Sequence, residues 1–253
     1  MYPPTQRWRQ DLLHAMHECA HIVPRYSSLD PIDFRLTYLT AIRDINVVKA
    51  IRTASNWQSR IGPSPDASSS KRVVSGRGMA YQTRSGTVNA WMCVVTVDRH
   101  TGEVKITKFV AAQDAGFVVN PVAISGGIKG NIMMSIGRSL RESVQFDATK
   151  VKSVDWVSYP ILRFKETPKL TLVNVHPEKY TVVTPGTTSG DVTVGNANAF
   201  AQGWTLTGSG EPPTAPIAAA VANGIFDATG VRVRQTPMTP ATVRGAFKAA
   251  GLI

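Results

Sequence analysis

The sequence predicts an α+β fold, on three observations. Apolar residues recur at helical spacing through residues 7–57, the period changes to two from Gly76, and an amphipathic helical pattern returns over 213–229. Taken in order, residues 7–23 place Leu12, Leu13, Met16, Cys19, Ala20 and Val23 on one helical face. Asp30 followed by Pro31 is a helix start, because a side-chain acceptor precedes a residue whose ring presets the helical φ. Phe34, Leu36 and Leu39 are expected to face a core. A third pattern, Ile45, Val48, Ile51 and Arg52, runs to Trp57, and the Ser-, Pro- and Gly-rich stretch after it reads as an exposed linker. The predicted organisation is therefore a helical arm over 1–57, a linker over 58–75 and an α+β domain over 76–253.

Within that domain, "GTVNAWMCVVTVDRHTGEVKITKFVAAQDAG" alternates as two strands, and Thr101-Gly102 supply the loop of a hairpin. Asn120 and Pro121 open a helix over 121–142 that carries Gly126, Gly127, Gly130 and Gly137. Each glycine costs a helix interior about 1 kcal/mol relative to alanine. Something is expected to approach that backbone closely, with close packing of another element as the default. Further strands are expected at 154–157 and 169–175. Residues 181–207, poor in charge and rich in Gly, Thr and Asn, read as a long loop. Ile217, Val221 and Ile225 then fall in register on a helix closed by Gly230, and Pro240 opens a short terminal helix.

Composition bounds the function classes. Lys and Arg number 28 against 17 Asp and Glu, for a net charge of +11. The basic residues are scattered, with no run and no aromatic-basic reader pattern, so nucleic acid is not the expected partner. Cys19 and Cys93 are the two cysteines and show no metal-ligand spacing. His14, His17 and His21 share a helical face with no acidic partner placed to complete a metal site, and no metal ligand is assigned to this chain. No stretch approaches the roughly 18 apolar residues of a membrane span. The N-terminal residues lack the apolar core of a signal peptide, so none is expected.

The segment that points to chemistry is "GSGEPPTAPIAAAVANGIFDATGVRVR", residues 208–234. A carboxylate before a helix is stabilised there by unpaired N–H groups, which is the plain reading of Glu211. Gly208 and Gly210, however, strip side chains from around it, and Pro212 and Pro213 fix its direction. A base that must meet a proton within hydrogen-bond reach needs that fixing.

The same segment resembles the C-terminal signature of the xanthine dehydrogenase/aldehyde oxidase family, the molybdenum hydroxylases. "GRGMAY", "VVTVDRHTGEVKITKFVAAQDAGFVVNP", "YPILRFKETP" and "LDPIDFRLTYL" resemble further segments of the same subunit in the same order, most closely the isoquinoline oxidoreductase and bacterial aldehyde dehydrogenase type. The resemblance implies mixed sheets with packed helices and a molybdenum–molybdopterin cofactor. Glu211 falls on the family's active-site glutamate, a general base near the metal but not bound to it. Gly126, Gly127, Gly208, Ser209 and Gly210 fall on cofactor-binding segments. Asp114 and Gly116 match the turn before the glycine-rich helix, where Asp114 reads as an acceptor for backbone N–H groups and Asn120 as the helix cap.

Two departures stand out. The family's Gln-x-Glu-Gly is here "GGIKG", with Gly127 in place of the glutamine and Lys129 in place of the glutamate. The 181–207 segment is longer than expected before the glutamate turn. The family's Gln-Gly-x-Gly segment, iron–sulfur cysteines and flavin fingerprint are not found. The resemblance therefore implies the C-terminal part of a molybdopterin-binding subunit. Its cofactor would be shared with another chain supplying the N-terminal part, and a [2Fe–2S] cluster would sit on a partner subunit. The expected reaction is hydroxylation of an aldehyde or N-heterocycle, in the cytoplasm, or in the periplasm if a partner carries the export signal. The alternative is a non-catalytic assembly subunit that keeps the fold with an incomplete cofactor site.

Overall fold

The computed structural model describes residues 29–175 and 207–253. The helical pattern expected over 7–23, with its histidines and Cys19, and the polar stretch through residue 206 lie outside those residues. The described elements are α1 (Pro31–Tyr38), α2 (Ile42–Ser55), β1 (Val73–Arg84), β2 (Thr87–Asp98), β3 (Val104–Asp114), α3 (Pro121–Leu140), β4 (Lys169–Asn174), α4 (Ile217–Thr229) and α5 (Pro240–Ala249). The strands form one mixed sheet in the order β1-β2-β3-β4. The first three run as an antiparallel meander, and β4 lies parallel to β3. That last pairing needs a long crossover, which α3 and the segment after it supply.

Two cores follow from the strand alternation. On one face, Trp91, Cys93, Val95 and Val97 of β2 pack with Ile128, Ile132 and Ile136 of α3 and Ile217, Val221 and Ile225 of α4. On the other, Val88, Ala90 and Met92 pack with Val47, Val48 and Ile51 of α2 and Ile32 of α1. The helices of the expected arm thus cover one face of the sheet. Asp30 caps α1 through the Ile32 N–H at 2.9 Å and also accepts from Trp57 Nε1 at 3.0 Å and Arg60 N–H at 2.8 Å. One buried carboxylate therefore ties the start of α1 to the loop after α2. The Ser-rich stretch is likewise held down, because the Arg99 guanidinium donates to the carbonyls of Asp66, Ala67 and Ser69.

Several expectations are corrected. The edge strand β1 begins at Val73, inside the expected linker and three residues ahead of the expected change of period, and it carries Gly76 and Gly78. Those glycines lie where α4 crosses: a Cβ on Gly78 would stand 1.9 Å from the Ala220 carbonyl oxygen. Residues 154–157 form no strand. Asp155 Oδ1 accepts from the N–H groups of Val157 and Ser158 at 3.1 and 2.8 Å, and this local capping outcompetes β propensity. Phe34 does not enter the core but tilts against Tyr38 with ring centroids 4.8 Å apart. Close packing does not explain the α3 glycines either. Among the described residues only Gly137 is approached, by the Glu142 side chain, while Gly126, Gly127 and Gly130 have nothing within 4 Å of an added Cβ.

Candidate active site

The chain around Glu211 is anchored through its backbone. Thr87 Oγ1 donates to the Gly208 carbonyl at 2.6 Å, and Asn131 Nδ2 on α3 donates to the Gly210 carbonyl at 2.8 Å. The Glu211 carbonyl accepts from Thr214 N–H at 2.9 Å and Thr214 Oγ1 at 2.8 Å. Trp91, fully buried, donates Nε1–H to the Pro213 carbonyl at 2.9 Å. The turn is thereby fixed to the sheet on one side and to the glycine helix on the other. Its carboxylate makes no cap hydrogen bond to the short 3-10 helix Pro212–Thr214 that follows. The side chain is 66% exposed, and Arg84 at the end of β1 stands 3.6 Å away. The helix-cap reading of Glu211 fails on this geometry: a cap would turn its carboxylate onto the N–H groups behind it.

Among the described residues, Gly208 and Gly210, like Gly126, Gly127 and Gly130 across the Asn131 bridge, have nothing within 4 Å of an added Cβ. Asn131 Nδ2 also donates to the Gly127 carbonyl at 2.9 Å, so one amide joins the two glycine segments. The structure thus brings Gly127 and Gly210 onto the same side chain, and Ser209 and Gly126 stand beside them in sequence. Lys129 is exposed on the same helix.

Beneath the turn lies a polar row that strand periodicity alone does not single out. Gln82, Asn89, Gln113 and Asn174 are aligned across all four strands. Asn89 stands between Thr87 and Trp91 on one face of β2, and both neighbours bond to the turn, so its amide points under Glu211. At the far end, Asn174 donates to Ser125 of α3 at 3.4 Å. Asn89 and Gln113 are 0% and 2% exposed, yet all four of their side-chain polar atoms lack a hydrogen-bond partner among the described residues. Buried polar groups are rarely left so, because each unmade bond costs about 1–3 kcal/mol. Arg84, Thr87, Asn89, Gln113 and Asn131 are the residues sequence reasoning missed. Register across the sheet exposes them, and a single chain read linearly does not.

The turn before α3 behaves as expected. Asp114 accepts the Gly116 N–H at 2.8 Å and pairs with Arg43 through bonds of 2.7 and 3.0 Å, which hold the Arg43 guanidinium above its ordinary pKa. Asn120 caps α3 through the Ala123 N–H at 2.9 Å. Both are structural. Among the described residues no three His, Cys, Asp or Glu side chains are grouped to hold a metal ion, and no helix is long and apolar enough to cross a membrane.

The sequence model of the molybdopterin cofactor-binding domain matches residues 41–168. One of the subunits of nicotinate dehydrogenase from Pseudomonas putida is 35% identical over 89% of this chain and 18% of its own length. The beta subunit of isoquinoline 1-oxidoreductase from Brevundimonas diminuta is 24% identical over 87% of this chain and 24% of its own length. The reconstituted CO dehydrogenase from Oligotropha carboxidovorans shares the fold, with a TM-score of 0.50 at 20% identity over 66% of this chain and 19% of that one. The chain thus spans only about a fifth to a quarter of the relatives it matches. On the matched domain and the ordered set of segments around it, the chain belongs to the molybdenum hydroxylase family, as a molybdopterin cofactor-binding domain.

Proposed function

We propose that this chain forms one wall of the active site of a molybdenum-dependent oxidoreductase, with Glu211 as general base in the hydroxylation of an aldehyde or N-heterocycle. The observation that carries the reading is that the Glu211 turn is held through four carbonyls while its carboxylate is 66% exposed, near glycines that no described residue approaches. The residues fit a molybdopterin. Glycines 126, 127, 208 and 210 let a flat ligand reach the backbone, and Asn89 and Gln113 are amides with unused donors and acceptors at the floor. Bound there, the cofactor would supply the acceptor for the two electrons that leave the substrate C–H bond, and water the oxygen.

The chain's own residues do the rest. Glu211 takes the proton that the attacking oxygen sheds, which requires the carboxylate to be held in one direction. Pro212 and Pro213 restrict the chain, and Asn131 and Trp91 stop the turn from rocking. Arg84 offers a counter-charge that draws the carboxylate toward the sheet. Proton transfer of this kind needs bulk water kept out, and the Glu211 side chain is 66% exposed, so the reading needs a second chain or segment to cover it. That segment would supply the other side of the cofactor site and the substrate-facing groups. An iron–sulfur subunit would carry the electrons away.

The test is to purify the chain gently with its partners and assay molybdenum per chain. A large molybdopterin-binding partner, an iron–sulfur partner and near-stoichiometric metal are expected. A chain that arrives alone and metal-free overturns the catalytic reading in favour of an assembly role.

A further inference from the structure

A second site lies along the middle of β1, at Arg77, Gly78 and Met79. The outer edge of that strand, the N-terminal part of α1, the loop after α2 and the C-terminal half of α4 enclose a cavity of about 350 Å³. Four arginines line it, Arg35, Arg60, Arg77 and Arg232, against one lining carboxylate, Asp227. That carboxylate is already engaged. Its Oδ1 is paired with Arg60, and its Oδ2 accepts the Arg77 backbone N–H at 2.8 Å. The nearby Asp30 is occupied by the bonds that cap α1 and hold Trp57.

The cations are instead laid on aromatic rings. The Arg77 guanidinium lies 3.9 Å from the Trp57 centroid, and that of Arg232 lies 3.6 Å from the Phe226 centroid. Arg77 donates to the Gln58 carbonyl, and Arg232 donates to Asn223 Oδ1 at 2.9 Å, so among the described residues both bond to neutral acceptors. The Nε–H groups of Arg60 and Arg77 are buried with no acceptor among the described residues. Burial pushes the Arg232 pKa down to about 10 and lowers that of Arg77, the latter with help from Arg60. A cation–π contact offsets only part of the cost of taking a guanidinium out of water. The walls between the charges are apolar, with Leu29, Pro31, Ile61 and Met79.

We propose that this cavity binds a small planar organic anion, with its carboxylate or phosphate head on the Arg60, Arg77 and Arg232 guanidinium groups and its body against the apolar walls. The volume falls at the lower end of small-molecule sites. Guanidinium forks suit both head groups. The site is built from elements distinct from the Glu211 turn, and its occupancy does not depend on the molybdenum reading.

The experiment is calorimetric titration of the full chain, alone and with the partners it purifies with, at fixed ionic strength. Benzoate is compared with its neutral isostere benzamide, and 5′-AMP with adenosine; inorganic phosphate serves as the head group alone. Each organic anion is expected to bind at least tenfold tighter than its neutral counterpart and tighter than phosphate. Arg232→Gln is expected to remove at least tenfold of that affinity. Should Arg232→Gln fail to fold, Arg77→Lys, which keeps the charge and loses the guanidinium fork, carries the same expectation of weakened benzoate binding. Equal binding of benzoate and benzamide, or binding unaffected by a folded arginine variant, overturns the proposal. So does benzoate binding to the isolated chain that vanishes in the complex, since a partner's acidic side chain would then be the occupant.

Discussion

Glu211→Gln in the assembled enzyme is expected to lower kcat by roughly 10²–10⁴-fold, the range a positioned general base supplies, while molybdenum per chain stays unchanged. The separation of the two readouts follows from the geometry. The turn is held by the carbonyls of Gly208, Gly210, Glu211 and Pro213, none of which the substitution touches. Among the described residues the carboxylate's ion-pair partner is Arg84 at 3.6 Å, at a 66% exposed position where such a pair contributes little to stability. Steady-state kinetics normalised to metal content checks it. Unchanged kcat would remove Glu211 from the chemistry, and a parallel fall in molybdenum would make it a cofactor-holding residue instead.

Gly78→Ala is expected to destabilise the fold by about 3 kcal/mol or more, the upper end for overpacking, because nothing around it can give way. The added Cβ would meet the Ala220 carbonyl oxygen at 1.9 Å and the Gly224 nitrogen at 2.2 Å, both α4 backbone. Relief would require lifting α4 off the sheet, and α4 carries Ile217, Val221 and Ile225 into the core. Gly127→Ala makes the opposing case. With no described residue within 4 Å of the new methyl, it is expected to stabilise α3 by up to about 1 kcal/mol while lowering molybdenum per chain. Denaturant unfolding of both variants beside metal assays checks the pair. A neutral Gly78→Ala would mean that α4 does not sit where the packing puts it.

These two glycine classes show what the sequence can and cannot say. Gly78 and Gly127 look alike as letters, and local reading expected close packing at α3 and placed no helix against Gly78. Which glycine is crossed by a helix depends on how β1 and α4, far apart in the chain, meet in the fold, a tertiary fact. Capping was legible, because Asp30, Asn120 and Asp114 act within two or three residues of themselves. The strand expected at 154–157 failed for the same local reason: Asp155 and Ser158 close a turn that valines alone do not reveal. Glu211 could be singled out by its glycine and proline flanks and by family resemblance. The groups that hold it could not, since Thr87, Trp91 and Asn131 come from β2 and α3 and give no sign of meeting in the linear sequence.

The central claim is that the space bounded by Glu211, the α3 glycines and the Asn89–Gln113 floor is a cofactor site completed by another segment. The most direct measurement is to locate molybdenum by anomalous diffraction at its absorption edge in crystals of the assembled enzyme. A single peak is expected on the exposed side of the Glu211 turn, with pterin density reaching the backbone at Gly126–Gly127 and Gly208–Gly210. Molybdenum elsewhere in the assembly, with that space filled by polypeptide, would contradict it.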